Sequence, residues 1–184
     1  RDRKVRTGDH VIGKILFTEA EIRKRAEELG EEISNEFKGE ELVVIGTLKG
    51  SIPWMCDLMK CLDLDTVIDF VKASSYGSST TTSGVVKISM DTELNLYNKN
   101  VLVVEDIVDT GTTLKYLLEK LNERHPKTLK VCTMLDKPSR RTADFHADYI
   151  GFQVDDLFII GYGLDYDQKY RNLPYISYLQ NEGK

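Results

Sequence analysis

The sequence predicts an α/β fold with a parallel sheet, and three observations carry that reading. Residues 101–104 and 42–48 are apolar runs rich in Val, without polar alternation, as strands buried on both faces require. Each run passes through a short polar turn into apolar residues at helical spacing. These are Leu114, Leu117, Leu118 and Leu121 after the first, and Trp54, Met55, Leu58, Met59 and Leu62 after the second. Residues 128–135 form a further apolar strand that again ends in polar residues. In such a sheet, ligands bind beyond the carboxyl ends of the strands.

Composition narrows the class. The 184 residues suit a single domain, and 41% hydrophobic with 30% charged residues is the balance of a globular chain with a sizeable core. No apolar run is long enough to span a membrane, and no signal-peptide pattern opens the chain. A net charge of −5 argues against nucleic acid as a partner. It also means that a polyanionic ligand must be met by a metal, local basic residues or backbone dipoles. Cys56, Cys61 and Cys132 lack metal-ligand spacing and sit in apolar contexts, which reads as reduced, buried cysteine in a cytoplasmic protein. His10, His125 and His146 are scattered, so no zinc site is expected.

Along the chain, residues 1–13 are polar and expected to fray. Thr18 and Glu21 make a capping box, after which Ile22, Ala26, Leu29, Ile33 and Phe37 line one face of a helix ending near Gly39. Lys49-Gly50-Ser51 is an anion-friendly turn, and Pro53 falls in the first turn of the next helix, where proline is tolerated. Residues 66–73 read as a mixed strand. Residues 74–84 are Gly, Ser and Thr apart from Tyr76, bury little, and are expected to form a mobile loop. Composition alone reads this loop as plain surface; the functional alternative is a lid that excludes water. Residues 85–90 resume as a strand, as in a long hairpin. Residues 148–152 read as a short strand, 157–163 as a strand with close backbone approach at its glycines, and 176–179 as a last edge strand.

The stretch 101–113 carries the most chemistry. Its apolar run ends in Glu105 and Asp106, with Asp109 three residues on, and Thr110-Gly111-Thr112-Thr113 then leads into the Leu-periodic helix. A turn that feeds a helix N-terminus offers unpaired N–H groups and the positive end of the dipole, which suits a phosphate. Gly111 permits positive φ and close approach, and Thr112 or Thr113 is a candidate helix cap or hydroxyl donor. Carboxylates at a strand tip suit sugar hydroxyls or hydrated Mg²⁺. A phosphorylated sugar satisfies both halves. Asp-Thr-Gly alone is an ordinary turn string, but an acid pair ending an apolar strand points to a cleft, because buried unpartnered carboxylates are costly.

Residues 101–113 resemble the phosphoribosyl-diphosphate (PRPP) binding motif of type I phosphoribosyltransferases: four apolar residues, an acid pair, two apolar residues, Asp-Thr-Gly, then Thr-Thr. Over residues 15–179 the chain resembles the 6-oxopurine (hypoxanthine-guanine) members of that family. Leu48-Lys49-Gly50 matches their diphosphate loop, Ser75-Tyr76 their flexible-loop pair and Lys137 their purine-reading lysine. Phe158 through Asp165 to Arg171 matches their C-terminal purine and diphosphate segment. Pro138 departs from the pattern. The resemblance implies a type I phosphoribosyltransferase fold: a mostly parallel central sheet flanked by helices, with a small hood and a flexible loop. It further implies a cytoplasmic homodimer or homotetramer that uses Mg²⁺.

The implied reaction moves the phosphoribosyl group of PRPP to N9 of hypoxanthine or guanine, giving IMP or GMP and diphosphate. By the same resemblance, Glu105 and Asp106 hold the ribose hydroxyls directly or through Mg²⁺, and Asp109 is the general acid/base at purine N7. Asp109, Thr110, Gly111, Thr112 and Thr113 surround the 5′-phosphate. Lys49, Gly50 and Arg171 take the diphosphate. Lys137 reads the 6-oxo group, Phe158 stacks on the ring, the Ile159 main chain meets its edge, and Asp165 lies by the purine and helps ligate a second Mg²⁺. A lysine only donates, so Lys137 suits an oxygen at C6 and not the amino group of adenine. The 2-oxo group of xanthine needs a donor that the sequence does not reveal.

Two other readings meet the same residues. Residues 107–112 also fit an aspartic-protease string, with 159–161 as its apolar partner, but here Asp-Thr-Gly leads into a helix and has no second copy. A phosphoribosyltransferase fold used as an RNA-binding regulator is opposed by the acidic balance and by the presence of Asp109 and Lys137.

Overall fold

Thr18 opens the first helix as its neighbours dictate. Its hydroxyl accepts from the Glu21 N–H (3.2 Å), and the Glu21 carboxylate accepts from the Thr18 N–H (2.9 Å), closing the capping box of α1 (Glu19–Glu36). The computed structural model describes residues 10–76 and 85–181. Ile22, Ala26, Leu29 and Ile33 of α1 are buried, each large apolar side chain contributing about 1.5–3 kcal/mol.

Six strands form the main sheet: β2 (Leu42–Thr47), β3 (Thr66–Tyr76), β4 (Val85–Met90), β5 (Asn100–Val108), β6 (Thr128–Asp136) and β7 (Tyr149–Gln153), in the order β4-β3-β2-β5-β6-β7. All neighbours run parallel except β3 and β4. Alternate residues of the central strands go to opposite faces. Leu42, Val44, Leu102 and Val104 pack with α1 and α2 (Ile52–Lys60), whereas Val43, Ile45, Val101 and Val103 pack with α3 (Thr112–Asn122). Both faces are thus covered, which is why these strands read as unbroken apolar runs. Connections run outward in opposite directions from β2 and β5, so the switch point lies between these two adjacent strands, at the ends that carry residues 48–50 and 105–113.

A second, three-stranded antiparallel sheet joins β1 (His10–Ile12), β9 (Ser177–Asn181) and β8 (Ile159–Ile160). This is the small hood. Its central strand is β9, flanked on both sides, and not the edge strand expected over 176–179. Three further expectations are corrected. Residues 10–12 do not fray, because His10 to Ile12 pair with Asn181 to Leu179; residues 1–9 lie outside the described residues. The strand expected over 157–163 shrinks to two residues, because Gly161, Tyr162 and Gly163 turn through φ of +91°, +50° and +99°. Ser74, Ser75 and Tyr76, expected within a loop over 74–84, are strand residues that pair with Lys87, Val86 and Val85; residues 77–84 lie outside the described residues.

Cysteine placement is corrected as well. Cys132 is buried, but Cys61 is half-buried and Cys56 is exposed on the outer face of α2, one turn from the exposed Ile52. No helix among the described residues is long and apolar enough to cross a membrane.

Candidate active site

The acid tip of β5 forms because the parallel ladder carries the strand to its neighbours' ends. Val103 and Val104 register with Val131 and Cys132, and Val108 with Asp136. The buried run thereby delivers Glu105 and Asp106 to the edge of a cleft of about 290 Å³. Thr47, Leu48 and Ala73 line it on one side, and Asp109, Thr110, Gly111 and Thr113 on the other.

Glu105 accepts from the Thr47 hydroxyl (2.7 Å), and Asp106 accepts from the Ile107 N–H (2.7 Å). Burial pushes the Glu105 carboxyl well above its ordinary range, and the adjacent Asp106 charge pushes it further. Burial also raises Asp106, against hydrogen bonds that favour its ionised form and the distant Arg171 charge. Two desolvated carboxyls side by side are thus costly to ionise unless a cation stands beside them. This donor set fits Mg²⁺, which is commonly held by one or two carboxylates together with substrate phosphates. Among the described residues no three His, Cys, Asp or Glu side chains gather into a metal cage. Asp165, which the resemblance assigns to a second Mg²⁺, accepts from the Gln168 N–H (2.9 Å) and pairs with Arg171 (3.3 Å).

The turn after the tip has the predicted backbone. Gly111 takes φ +82° and is itself the N-cap of α3, with no side-chain cap. Thr112 and Thr113 are therefore inside the helix and not its cap. The first N–H of α3, that of Thr112, meets only the Thr110 hydroxyl at a long 3.4 Å, so the helix start keeps its capacity for an anion. Asp109 Oδ1 is a buried oxygen without a hydrogen-bond partner, 3.4 Å from Arg140 Nε.

Gly50 explains its own identity. A Cβ there would overlap Asp106 Oδ2, so the loop after β2 lies directly against the acid tip. A cis peptide joins Leu48 to Lys49. The Lys49 ammonium donates to Gln168 Oε1 (3.2 Å), and Arg171 donates to the same oxygen (3.1 Å). Two cations converging on one oxygen is an arrangement that an anionic oxygen fits equally well.

The remaining predicted residues do not line the cleft. Lys137 is buried, and its ammonium donates to Leu157 O (2.8 Å) and lies 3.9 Å from Asp156. Its N–H donates to Val108 O (2.9 Å), which places it beside Asp109 across β5 and β6. Arg140 then links Asp109 to Asp156 (3.7 Å), so Asp109, Arg140, Asp156 and Lys137 form one chain of charges. Phe158 exposes about half its surface and meets Tyr166 edge-on at 5.5 Å. Ile159 is buried in β8, its main chain paired with Tyr178. Ser75 is exposed on β3.

Sequence reasoning missed the residues that hold these groups. Arg141 is nearly buried and donates to Asp136, to Phe145 O (2.8 Å) and to Asp109 O (3.2 Å). It thereby ties the Asp109 turn to the end of β6. Read as a basic run, Arg140 and Arg141 look solvated; only their position just after the β6 tip marks them.

The Phosphoribosyl transferase domain family matches residues 14–167. The chain belongs to this family. Among relatives of this phosphoribosyltransferase, a hypoxanthine-guanine phosphoribosyltransferase of Bacillus subtilis is 48% identical over 93% of this chain and 95% of its own. The crystal structure of a hypoxanthine phosphoribosyltransferase from Staphylococcus aureus superposes with a TM-score of 0.89 at 45% identity, covering 92% of each chain. That of a hypoxanthine-guanine phosphoribosyltransferase from Bacillus anthracis gives 0.87 at 44% identity, covering 93% of this chain and 99% of the other. The likeness extends over the whole sheet, so the type I phosphoribosyltransferase fold expected from the sequence is the fold observed.

Proposed function

We propose that this phosphoribosyltransferase transfers the 5-phosphoribosyl group of PRPP to N9 of hypoxanthine or guanine, giving IMP or GMP and diphosphate in purine salvage. The chain of charges from Asp109 through Arg140 and Asp156 to Lys137 carries the reading. It joins an acid on the phosphate-type turn to a buried lysine, which pairs a group able to exchange a proton at N7 with a donor suited to a 6-oxo group.

In the reaction, the C1′–O bond to diphosphate breaks, its electron pair leaves with diphosphate, and the N9–C1′ bond forms. The ribosyl centre gains oxocarbenium character, which fixed negative charge beneath the sugar stabilises. Glu105 and Asp106 supply that charge and orient the ribose hydroxyls. Mg²⁺ held at this tip would neutralise the phosphates and assist the leaving group. Asp109 exchanges the N7 proton as N9 bonds to carbon, its Oδ1 having no competing hydrogen bond. The N–H groups at the start of α3, with Thr110, Thr112 and Thr113, cradle the 5′-phosphate. Lys49 and Arg171 take the diphosphate oxygens, in the way that both now take Gln168 Oε1. Lys137 donates to the 6-oxo group, Phe158 covers the ring, the Ile159 main chain meets its edge, and Asp165, beside the purine and paired with Arg171, would help hold a second Mg²⁺. We place the enzyme in the cytoplasm, as a single catalytic domain that assembles into a homodimer or homotetramer, with Ser75 and Tyr76 at the end of β3 contributing to the site.

A spectrophotometric assay with PRPP and Mg²⁺ and each of hypoxanthine, guanine, xanthine and adenine tests this. Turnover of hypoxanthine or guanine without adenine is the expected result. Turnover of adenine alone, or of no base by a folded enzyme, would overturn it.

A further inference from the structure

Behind the cleft, the turn at residues 161–164 bends through three successive left-handed residues, and the middle one, Tyr162, is not glycine (φ +50°). What holds it there is a side chain. Tyr162 is 7% exposed, and its hydroxyl donates to a carboxylate oxygen of Asp57, itself 9% exposed, on α2. Burial and the Asp57 carboxylate push the Tyr162 hydroxyl to higher pKa, so it stays a donor at any working pH. Lys60 lies 3.7 Å from the other Asp57 oxygen.

The same turn touches both halves of the cation pair. A Cβ on Gly163 would overlap the Gly50 carbonyl oxygen and lie 2.9 Å from Pro53 Cδ. The Gly163 carbonyl accepts from Arg171 Nη1 (2.7 Å), and its N–H donates to Arg171 O (2.9 Å). The turn is therefore pressed between the Lys49-Gly50 loop and Arg171, with its outer end fixed to α2.

We infer that Asp57 and Tyr162 are positioning residues for diphosphate. Their hydroxyl–carboxylate bond seats the 161–164 turn on Gly50 and so sets Lys49 and Arg171 at the spacing that one anionic oxygen needs. Neither residue reaches the cleft. The inference rests on the diphosphate reading given above for Lys49 and Arg171.

Calorimetric titration of the full chain with inorganic diphosphate and Mg²⁺ tests it without turnover. Tyr162→Phe keeps the ring and deletes the donor; it should weaken diphosphate binding about tenfold, part of the loss that a misplacement near 1 Å brings. The KM for hypoxanthine should stay as in the wild type. Asp57→Asn still accepts from the hydroxyl and should bind nearly as the wild type does. The double variant Tyr162→Phe/Asp57→Leu removes both polar partners, so its Tm should recover toward the wild type while diphosphate binding stays weak. Recovery of binding along with Tm would reduce the pair to packing and overturn the inference, as would undiminished binding by Tyr162→Phe. Failure of the wild type itself to bind diphosphate would instead overturn the reading of Lys49 and Arg171.

Discussion

On the β5 side of the cleft, the candidate ligand groups come from one stretch, residues 105–113, and the backbone holds most of that stretch, with the Arg141 side chain bracing the Asp109 turn. On the hood side they come from residues 137, 140, 156–158, 165 and 171, and side chains hold them. The difference shows in their partners. Glu105 registers with Thr133 in the β ladder, and the Thr110 carbonyl accepts from both Thr142 and Ala143 N–H groups (3.1 Å each). Lys137, Arg140 and Arg171 are placed instead by Leu157 O, by Asp109 with Asp156, and by Gly163 O with Asp165. A backbone-held side tolerates loss of a side chain and keeps its shape. A side-chain-held side moves when one partner goes.

Asp109→Asn gives the largest expected effect and tests the first half of that contrast. Asn keeps the size and the turn but removes the proton acceptor. The kcat should fall about 10²-fold, the scale of general acid/base catalysis, with KM for PRPP little changed. A kcat equal to wild type under conditions where chemistry limits turnover would take Asp109 out of proton transfer. Gly50→Ala comes next. Its added methyl overlaps Asp106 Oδ2, so either the acid tip or the Lys49 loop must shift. A shift of that size should cost about 10²-fold in kcat/KM for PRPP, and an unaltered value would mean that the loop relaxes freely.

That contrast also explains what could be read without coordinates. The 105–113 stretch is legible because strand, acid tip, turn and helix follow one another in sequence, and the α1 capping box is legible because it spans three residues. Arg141 is not legible, because its value comes from Asp136, Phe145 O and Asp109 O meeting it in space. Gln168 is a polar turn residue until Lys49, more than a hundred positions earlier, is folded onto it. Residues 10–12 look frayed until β9 arrives from the other end of the chain. Cys56 fails for a different reason: its apolar sequence context suggests burial, but it shares the outward face of α2 with Ile52.

Lys137→Gln probes the hood side. Gln still donates but loses the charge, so its pull on a 6-oxo group and on Asp156 both weaken. The KM for guanine should rise about tenfold, the scale of a hydrogen bond from a charged donor, or discrimination against adenine should fall. If neither changes, Lys137 does not read the base.

Glu105→Gln separates stability from function at the acid tip, with the smallest expected effect. Glu105 has an ordinary value near 4.5, which burial and Asp106 raise in the folded state. The folded protein therefore binds more protons than the unfolded chain between those two values, and its stability falls as pH rises through that window, then levels off. The cost persists above that window, once the folded pair carries charge that water would otherwise solvate. Gln removes one charge and still accepts from Thr47, so without Mg²⁺ the Tm at pH 8 should rise by about 2–4 °C, the equivalent of about 1 kcal/mol in a domain of this size. The drop in Tm between pH 5 and pH 8 should shrink in the same variant. Because a divalent cation relieves the same charge, Mg²⁺ should raise the wild-type Tm at pH 8 more than that of the variant, while KM for PRPP rises in the variant. Scanning calorimetry across pH, with and without Mg²⁺, reads all of these together. A variant no more stable than wild type at pH 8 would mean that the backbone of β5 holds Glu105 without charge strain.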